Sequence, residues 1–325
     1  MKRDTRIDFL RMSAIFLIML AHVSPPVTIF IARTFDVPLM AFLLGMSFYL
    51  SKKRGNYFVY VAKRFKRLVI PAWKFLTLFF IVMWILFIFS PNPFPYPLST
   101  IYTSYNLTGG IGYVWVIGVF FVIAIFSPII YAFSKKFKRF VQRQVVLLLL
   151  LFFQSLLCKT NIVASQNPLV YQLPIYTGYA IMCLAGIWAV QQNKEKNIFW
   201  GFSYLLFFII LSFTNSFISL QEAKYPPQLY YLVYGISVST LLFALVSNDT
   251  IRKFCDQKWI VWLSSHSLEI YYWHITVIIF FSYYFTQIDW KMKYFIVAIT
   301  AIFFTAIQPN ITSYFLQKKS KKLTS

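Results

Sequence analysis

The chain has 325 residues, of which 59% are hydrophobic and only 12% are charged, and its mean hydropathy is +0.65. Ordinary soluble domains contain roughly 25% charged residues, so this composition excludes a soluble globular protein and predicts an integral membrane protein with several spans. The formal net charge of +22 does not indicate nucleic-acid binding, because the basic residues lie in short breaks between apolar runs and do not form a basic face on a soluble domain.

Ten apolar runs follow one another along the chain, each bounded by charged residues or by clusters of Pro, Asn and Gly. Since about 20 apolar residues span a bilayer, we expect an all-α bundle of about ten transmembrane helices that forms a single domain over residues 1–325. The runs cover residues 9–31, 37–51, 68–89, 111–133, 145–158, 174–191, 198–218, 229–247, 259–285 and 294–316. The basic N-terminus continues into further apolar sequence without a small-residue cleavage site, so we interpret the first run as a retained helix.

The distribution of Lys and Arg predicts how the chain is oriented. If the N-terminus is cytoplasmic, the loops and termini on that side contain 25 of the 31 Lys and Arg residues, as the positive-inside rule requires. Both termini are therefore predicted to be cytoplasmic, in a multi-pass protein of the plasma membrane. The cysteines match neither a disulfide framework nor a metal-ligand spacing, so no metal site is predicted.

The first run carries two ionisable residues, Arg11 and His22, eleven positions apart. At about 100° and 1.5 Å per residue, a helix places them on one face and about 16 Å apart. With Arg11 at the cytoplasmic boundary, His22 is predicted near the middle of a hydrocarbon core about 30 Å thick. Ionisable groups at that depth usually mark a reaction site or a pathway; the alternative is a neutral histidine bonded to a neighbouring helix.

The third run begins with a second set of basic residues. Arg64 and Arg67 are neighbours on a helix face, and Lys74, seven positions after Arg67, is predicted to point the same way. Guanidinium groups match phosphate oxygens, so this face suits a multiply charged anion, and Arg11 offers positive charge at the same depth. The alternative is an ordinary positive-inside anchor.

These residues fall into motifs that resemble the membrane acyltransferase 3 family over essentially the whole chain. Arg11, ten residues and His22 match its R/K-x10-H motif, and Arg64 with Arg67 matches its RxxR motif. The segments "RIDFLRMSAIFLIMLAH", "FDVPLMAFLLG" and "SLEIYYWH" are similar to the first helix, the second helix and a late motif of the family. One departure is Leu44, where similar sequences often have Ser before the glycine.

The resemblance implies transfer of an acyl group, commonly acetyl, from cytoplasmic acyl-CoA to a hydroxyl of an extracytoplasmic or lipid-linked glycan. The histidine of the motif carries over to His22 as the catalytic residue, and its arginines carry over to Arg11, Arg64 and Arg67 as donor ligands. Acyl-CoA is then a substrate, and no bound cofactor is implied. Further expected partners are membrane lipids and proteins of polysaccharide biosynthesis.

Other polar residues in the apolar runs are candidates for supporting roles. Glu269 could orient His22 as a catalytic residue, or could pair with Lys74 or a tyrosine. His274 could bind the acceptor, and Asp36 could bind it or pair with Arg33.

Five aromatic residues after the third span are predicted at the outer face. They form either an interfacial belt or a stacking surface for sugar rings: Tyr96, Tyr102, Tyr105, Tyr113 and Trp115.

Two other functions are compatible with a charged membrane interior. A transporter or flippase for lipid-linked saccharides could also use buried His, Glu and Lys, although the sequence shows no inverted repeat. A non-catalytic partner in polysaccharide export would not need the spacing between Arg11 and His22.

Overall fold

The computed structural model describes residues 3–51, 55–89, 93–111, 113–160, 168–214, 217–285 and 287–323. This part of the chain is helical, without a β-strand. Its α-helices in chain order are α1 (Thr5–Ala21), α2 (Val27–Ala32), α3 (Asp36–Ser51), α4 (Tyr57–Ile88), α5 (Leu98–Tyr105), α6 (Trp115–Ser134), α7 (Phe140–Lys159), α8 (Pro168–Ala189), α9 (Lys194–Thr214), α10 (Leu229–Leu245), α11 (Asp249–Cys255), α12 (Lys258–Ser265), α13 (Ser267–Tyr284) and α14 (Trp290–Leu323).

Each of the ten predicted runs contains a helix, but two of the runs are broken. The prediction of one helix over residues 9–31 is wrong, because α1 ends at Ala21 and α2 begins only at Val27. Pro25 and Pro26 cause this break, since proline has no N–H for the helix and disfavours helical backbone in the residue before it. The ninth run breaks at His266, between α12 and α13.

The number of membrane crossings is only partly settled by helix length and hydropathy. Six described segments are long and apolar enough to cross a membrane, and the bent pair α10 and α11, which turns by 92°, makes a seventh if it is one span. The chain is therefore a multi-pass helical membrane protein, while about ten spans and cytoplasmic termini stay predictions.

Helix α1 occupies the centre of the bundle. Ile7, Leu10 and Ala14 pack into one hydrophobic cluster with α3, α6, α8 and α10, whereas Ile15 and Met19 pack into a second cluster with α4, α13 and α14. A helix that is apolar on every side is expected to be buried on every side. The polar residues of α1 are consequently surrounded by protein and not by lipid.

Two faces of the bundle can be defined by contacts at the ends of α1 and α10. At the N-terminal face, the Arg6 guanidinium donates to Ser247 just after α10, over 2.9 Å. At the opposite face, the Tyr234 hydroxyl near the start of α10 donates to the carbonyl of Ala32, over 2.5 Å. Helix α1 therefore runs from the N-terminal face, where Arg3 and Arg6 lie, toward the opposite face.

Helices α3 and α8 approach each other closely because glycines lie where they cross. A Cβ atom at Gly45 would overlap the carbonyl oxygen of Cys183, and one at Gly186 would overlap that of Phe42. Small residues allow such backbone contact between membrane helices, where dispersion replaces the hydrophobic effect as the main attraction. This crossing fixes α3, which carries Asp36 at one end and Ser47 at the other.

Candidate active site

A polar network holds Arg11 in the middle of the N-terminal half of the bundle. The Arg11 guanidinium donates to Ser47 of α3 over 2.8 Å and to Ser264 of α12 over 3.1 Å. Its third partner is Asp8, 3.4 Å away and one turn earlier on α1. Asp8 is almost completely buried and also accepts from Arg3, a hydrogen bond that raises the pKa of the Arg3 guanidinium. Arg11 is therefore held in one orientation by three helices.

A large cavity opens beside this network. Its volume is about 1760 Å³, which exceeds the roughly 300–1,000 Å³ of pockets for drug-sized ligands. Its lining reaches from Arg3 and Asp256 at the N-terminal face to Ile18 and Tyr271. We call it the donor cavity, after the acyl-donor site that the sequence predicts at Arg11, Arg64 and Arg67, which all line it.

Helix α4 forms one wall of the donor cavity, and the charged residues of this wall are all basic. Lys63, Arg64 and Arg67 line it there, and neither arginine forms a salt bridge with a described residue. The carboxylates that line the cavity all come from α1, α11, α13 and the residues flanking them: Asp4, Asp8, Asp249, Asp256 and Glu269. The α4 wall is thus the place in the cavity best suited to a polyanion.

Lys74 is not brought to this wall. The cavity follows α4 only as far as Leu68, and Lys74 lies nearly two turns further on with an exposed side chain. The structure consequently groups Arg11, Arg64 and Arg67 around one cavity, with electrostatic interactions between Arg11 and both residues of α4, and leaves Lys74 outside it.

His22 caps the end of α1, one turn beyond the deep end of the cavity. Its Nδ1 lies 2.8 Å from the carbonyl oxygen of Ile18, which can only accept a hydrogen bond, so Nδ1 carries the proton and Nε2 has the free lone pair. Ile18 lines the donor cavity whereas His22 does not. The half-buried imidazole is therefore positioned by the helix that forms the cavity wall.

Aromatic rings surround His22. The ring of Tyr113 packs against the imidazole with 3.6 Å between centroids, and the ring of His274 lies 5.5 Å away. Tyr271, which lines the cavity, donates its hydroxyl to the carbonyl of Tyr113 over 2.7 Å and contacts His274 with 5.0 Å between centroids. Tyr271 thus connects the lining of the donor cavity to the two residues that pack on His22, and we call Tyr113, Tyr271 and His274 the ring layer.

His274 and Glu269 are the two remaining residues predicted from α13. The fully buried His274 lies beside His22, and neither of its ring nitrogens has a hydrogen-bond partner among the described residues. Glu269 lies in the first turn of α13 and lines the donor cavity. It forms no salt bridge with Lys74, and its Oε2 has no described partner. The orienting contact to His22 comes from Ile18 and not from Glu269.

Asp36 lies at the opposite face, and each of its carboxylate oxygens accepts a hydrogen bond from a residue close to it in sequence. Its Oδ2 accepts from Arg33 over 2.5 Å, and its Oδ1 accepts from the backbone N–H of Val37 over 2.7 Å. Both side chains of the ion pair are buried. The pairing of Asp36 with Arg33, one of the two roles expected from the sequence, is thus present.

Three contributors to the site were missed in the sequence. Ser47 and Ser264 approach Arg11 only through packing of α3 and α12 against α1, which no local pattern reveals. Tyr113 was assigned to the outer aromatic group, but its backbone has φ of 70°, a conformation uncommon outside glycine. That conformation places its ring on His22.

A comparison with protein families identifies the family of the chain. The model of the acyltransferase 3 family, described as an acyltransferase domain, matches residues 4–307. The chain belongs to this family of membrane acyltransferases. Neither the curated proteins nor the solved structures contain a match to the chain.

Proposed function

We propose that this protein is an O-acyltransferase that takes an acetyl group from cytoplasmic acetyl-CoA and transfers it to a hydroxyl of a glycan at the opposite face. The observation that carries the proposal is the joint arrangement of donor cavity and His22. A cavity with a cationic wall ends one helical turn from an imidazole whose Nε2 is free.

The donor cavity matches the charge pattern of a CoA thioester. Phosphates at the wall formed by Arg64 and Arg67, together with Arg11, would satisfy cations that have few carboxylate partners. The separation of about 16 Å between Arg11 and His22 along α1 is bridged by a thin, uncharged arm. The inner part of the cavity, with Ile15, Ile18 and Ile117, is apolar enough for such an arm.

The chemistry follows from the orientation of His22. The Ile18 carbonyl fixes the proton on Nδ1, so Nε2 accepts the proton of the acceptor hydroxyl while the hydroxyl oxygen attacks the thioester carbonyl. The new ester forms as the carbon–sulfur bond breaks, and the CoA thiolate takes the proton from Nε2 and leaves as the thiol. Tyr113 restricts the imidazole to this orientation by packing on its face.

The test uses the full chain in lipid nanodiscs with radiolabelled acetyl-CoA, in the presence of an extract of envelope glycans. Removal of a general base costs typically 10²–10⁴-fold in rate, so His22→Ala should lose glycan labelling by at least about 10²-fold while acetyl-CoA still binds. Transfer at the wild-type rate in His22→Ala would overturn the proposal.

The donor site is tested separately by equilibrium binding of acetyl-CoA. Arg64→Ala and Arg67→Ala should each weaken binding, because each removes a charge from the α4 wall. Lys66→Ala is the matched control, since Lys66 is exposed on the same helix and does not line the cavity. Equal binding by all four proteins would contradict the donor site, and absence of any acetyl-CoA binding would favour a transporter.

A further inference from the structure

A lysine without a counterion is buried at the opposite face. Lys224 lies in the short turn Glu222–Lys224 between α9 and α10, and its side chain is only 5% exposed. It takes part in no salt bridge among the described residues, and its ammonium group lies 5.4 Å from the ring centroid of Tyr225. Burial lowers the pKa of Lys224, and the attraction of Asp36 offsets part of that effect. A buried charge without a partner is costly, so a retained ammonium group calls for an anion.

The nearest carboxylate does not supply that anion. Both oxygens of Asp36 are already occupied, one by Arg33 and one by the backbone of Val37. Arg33 is itself buried, and its Nε–H has no described partner. Two cations therefore share one carboxylate, and the group formed by Arg33, Asp36 and Lys224 keeps one uncompensated positive charge.

This group lies within electrostatic range of His22 and outside the donor cavity. The positive charges of Arg33 and Lys224 act on His22, as does that of Lys293, and none of Arg33, Asp36 and Lys224 lines the donor cavity. Trp115, which packs against Tyr225, lies two residues after Tyr113, whose ring packs on His22. His22 thus lies between a cationic wall at the N-terminal face and a second cationic group at the opposite face.

Aromatic side chains border the second cationic group. Tyr225 is 42% exposed and packs against Trp115, with 5.2 Å between ring centroids. Trp115 also contacts Tyr179, and the hydroxyl of Tyr231 donates to the carbonyl of Thr34 over 3.1 Å, next to Arg33 in sequence. Of these aromatic residues, Tyr225 is the one exposed beside the buried ammonium group of Lys224.

We propose that Arg33 and Lys224 bind an anionic group of the acceptor and so hold its hydroxyl at His22. The acceptor is then an acidic saccharide, with either a sugar carboxylate or a phosphate that links the sugar to a lipid. Both groups are oxyanions that accept charge-assisted hydrogen bonds from guanidinium and ammonium donors. This inference rests on the proposed function only in assigning the acceptor to the side of His22 that faces away from the donor cavity.

The experiment measures binding of two matched pairs of probes to the full chain in nanodiscs. Methyl glucuronide and methyl glucoside differ only in the carboxylate, and farnesyl phosphate and farnesol differ only in the phosphate. The wild-type protein should bind the anionic member of one pair at least tenfold more tightly than its neutral partner, and the pair that shows the preference identifies the source of the anion. Equal binding within both pairs would overturn the proposal regardless of any variant.

Variants of Lys224 test whether this residue causes the preference for the anionic probe. Lys224→Met should remove the preference while leaving the neutral probe unaffected, and Lys224→Arg should keep most of it. Lys291→Met is the matched control, because Lys291 is an exposed lysine in the first turn of α14, at the same face. A preference that survives in Lys224→Met would contradict the assignment.

Thermal unfolding in detergent serves as the folding check, because it requires neither the donor nor the acceptor. If Lys224→Met melts well below the wild-type protein, Lys224→Gln replaces it, and a preference kept by Lys224→Gln contradicts the assignment equally. The outcome is separable from that of the proposed function, since probe binding requires no acyl transfer. An anion preference without His22-dependent transfer would leave the site intact and remove only its role in catalysis.

Discussion

The carbonyl of Ile18 determines which nitrogen of His22 is available as a base. In many enzymes a carboxylate orients the catalytic imidazole through Nδ1, but here the hydrogen bond goes to the backbone one turn earlier in α1. A backbone acceptor cannot be removed by a side-chain substitution, and it carries no charge that needs a partner in a membrane interior. The orientation of His22 is therefore a property of the end of α1.

A prediction about Glu269 follows from this orientation. Because Ile18 already fixes Nδ1–H, Glu269→Gln should retain His22-dependent transfer within about tenfold, well short of the 10²–10⁴-fold loss expected for a general base or its essential partner. The measurement is the rate of transfer between pH 5 and 9, with Glu195→Gln, an exposed carboxylate in the first turn of α9, as the control. A loss as large as that of His22→Ala, or a displaced pH profile, would assign Glu269 to the catalytic machinery.

Individual residues also show how much of the candidate site can be predicted from the sequence. Arg11, Arg64, Arg67 and His22 were all placed by helical spacing and by the family motifs, because that information is local. The position of Lys74 outside the cavity was not predicted, since helical spacing gives the direction of a side chain but not the place where the neighbouring cavity ends. The contacts of Ser47 and Ser264 with Arg11 and of Tyr113 with His22 depend on how distant segments pack, which periodicity does not contain.

At the scale of helices, the crossing of α3 and α8 supports the site from outside. Ser47, which binds Arg11, and Asp36, which binds Arg33, are both on α3, so a shift of this helix would disturb both sides of His22 together. The crossing depends on two glycines whose backbones touch the partner helix.

Gly45→Ala and Gly186→Ala should therefore each destabilise the protein. The added methyl group has no space beside a carbonyl oxygen, and forced overpacking typically costs about 1–3 kcal/mol. Thermal unfolding in detergent can be followed with a thiol-reactive dye, because Cys183 and Cys255 are buried in the folded state. Gly109→Ala is the matched control, since nothing lies within 4 Å of its added Cβ; equal melting temperatures for all three variants would refute the role of the crossing.

The helical segments themselves were largely predictable, and their ends were not. Each apolar run contains a helix because burial in lipid or protein requires every backbone group to be paired within the segment. The breaks at Pro25 and at His266 interrupt runs whose hydropathy continues unchanged. The first break was readable from its prolines, whereas nothing in the sequence around His266 forbids a continuous helix.

For the molecule as a whole, the orientation in the membrane determines which substrate meets which side of His22. The distribution of basic residues predicts that the N-terminal face, with the donor cavity, is cytoplasmic. Acetyl-CoA is a cytoplasmic metabolite in the proposed function, so the predicted orientation places the donor cavity on the side where the donor is present.

Cysteine labelling in intact cells measures that orientation. In a background without the native cysteines, Lys291→Cys should react with a membrane-impermeant maleimide, and Lys196→Cys should react only after lysis. Both lysines are exposed, and they lie in the first turns of α14 and α9, at positions predicted on opposite sides. The reverse labelling pattern would show that the orientation is opposite to the predicted one, with the donor cavity facing away from the cytoplasm.

The ring layer formed by Tyr113, Tyr271 and His274 has an electrical consequence. Tyr271 borders the wide cavity, and Tyr113 and His274 pack against the half-buried His22. In an energised membrane, voltage falls mainly across matter of low polarisability, so at this place the field is concentrated over a few ångströms of aromatic side chains. Moving one elementary charge through the full potential changes its energy by about 2.3 kcal/mol per 100 mV. In the proposed reaction, proton transfer at His22 would therefore take place where the membrane voltage acts strongly.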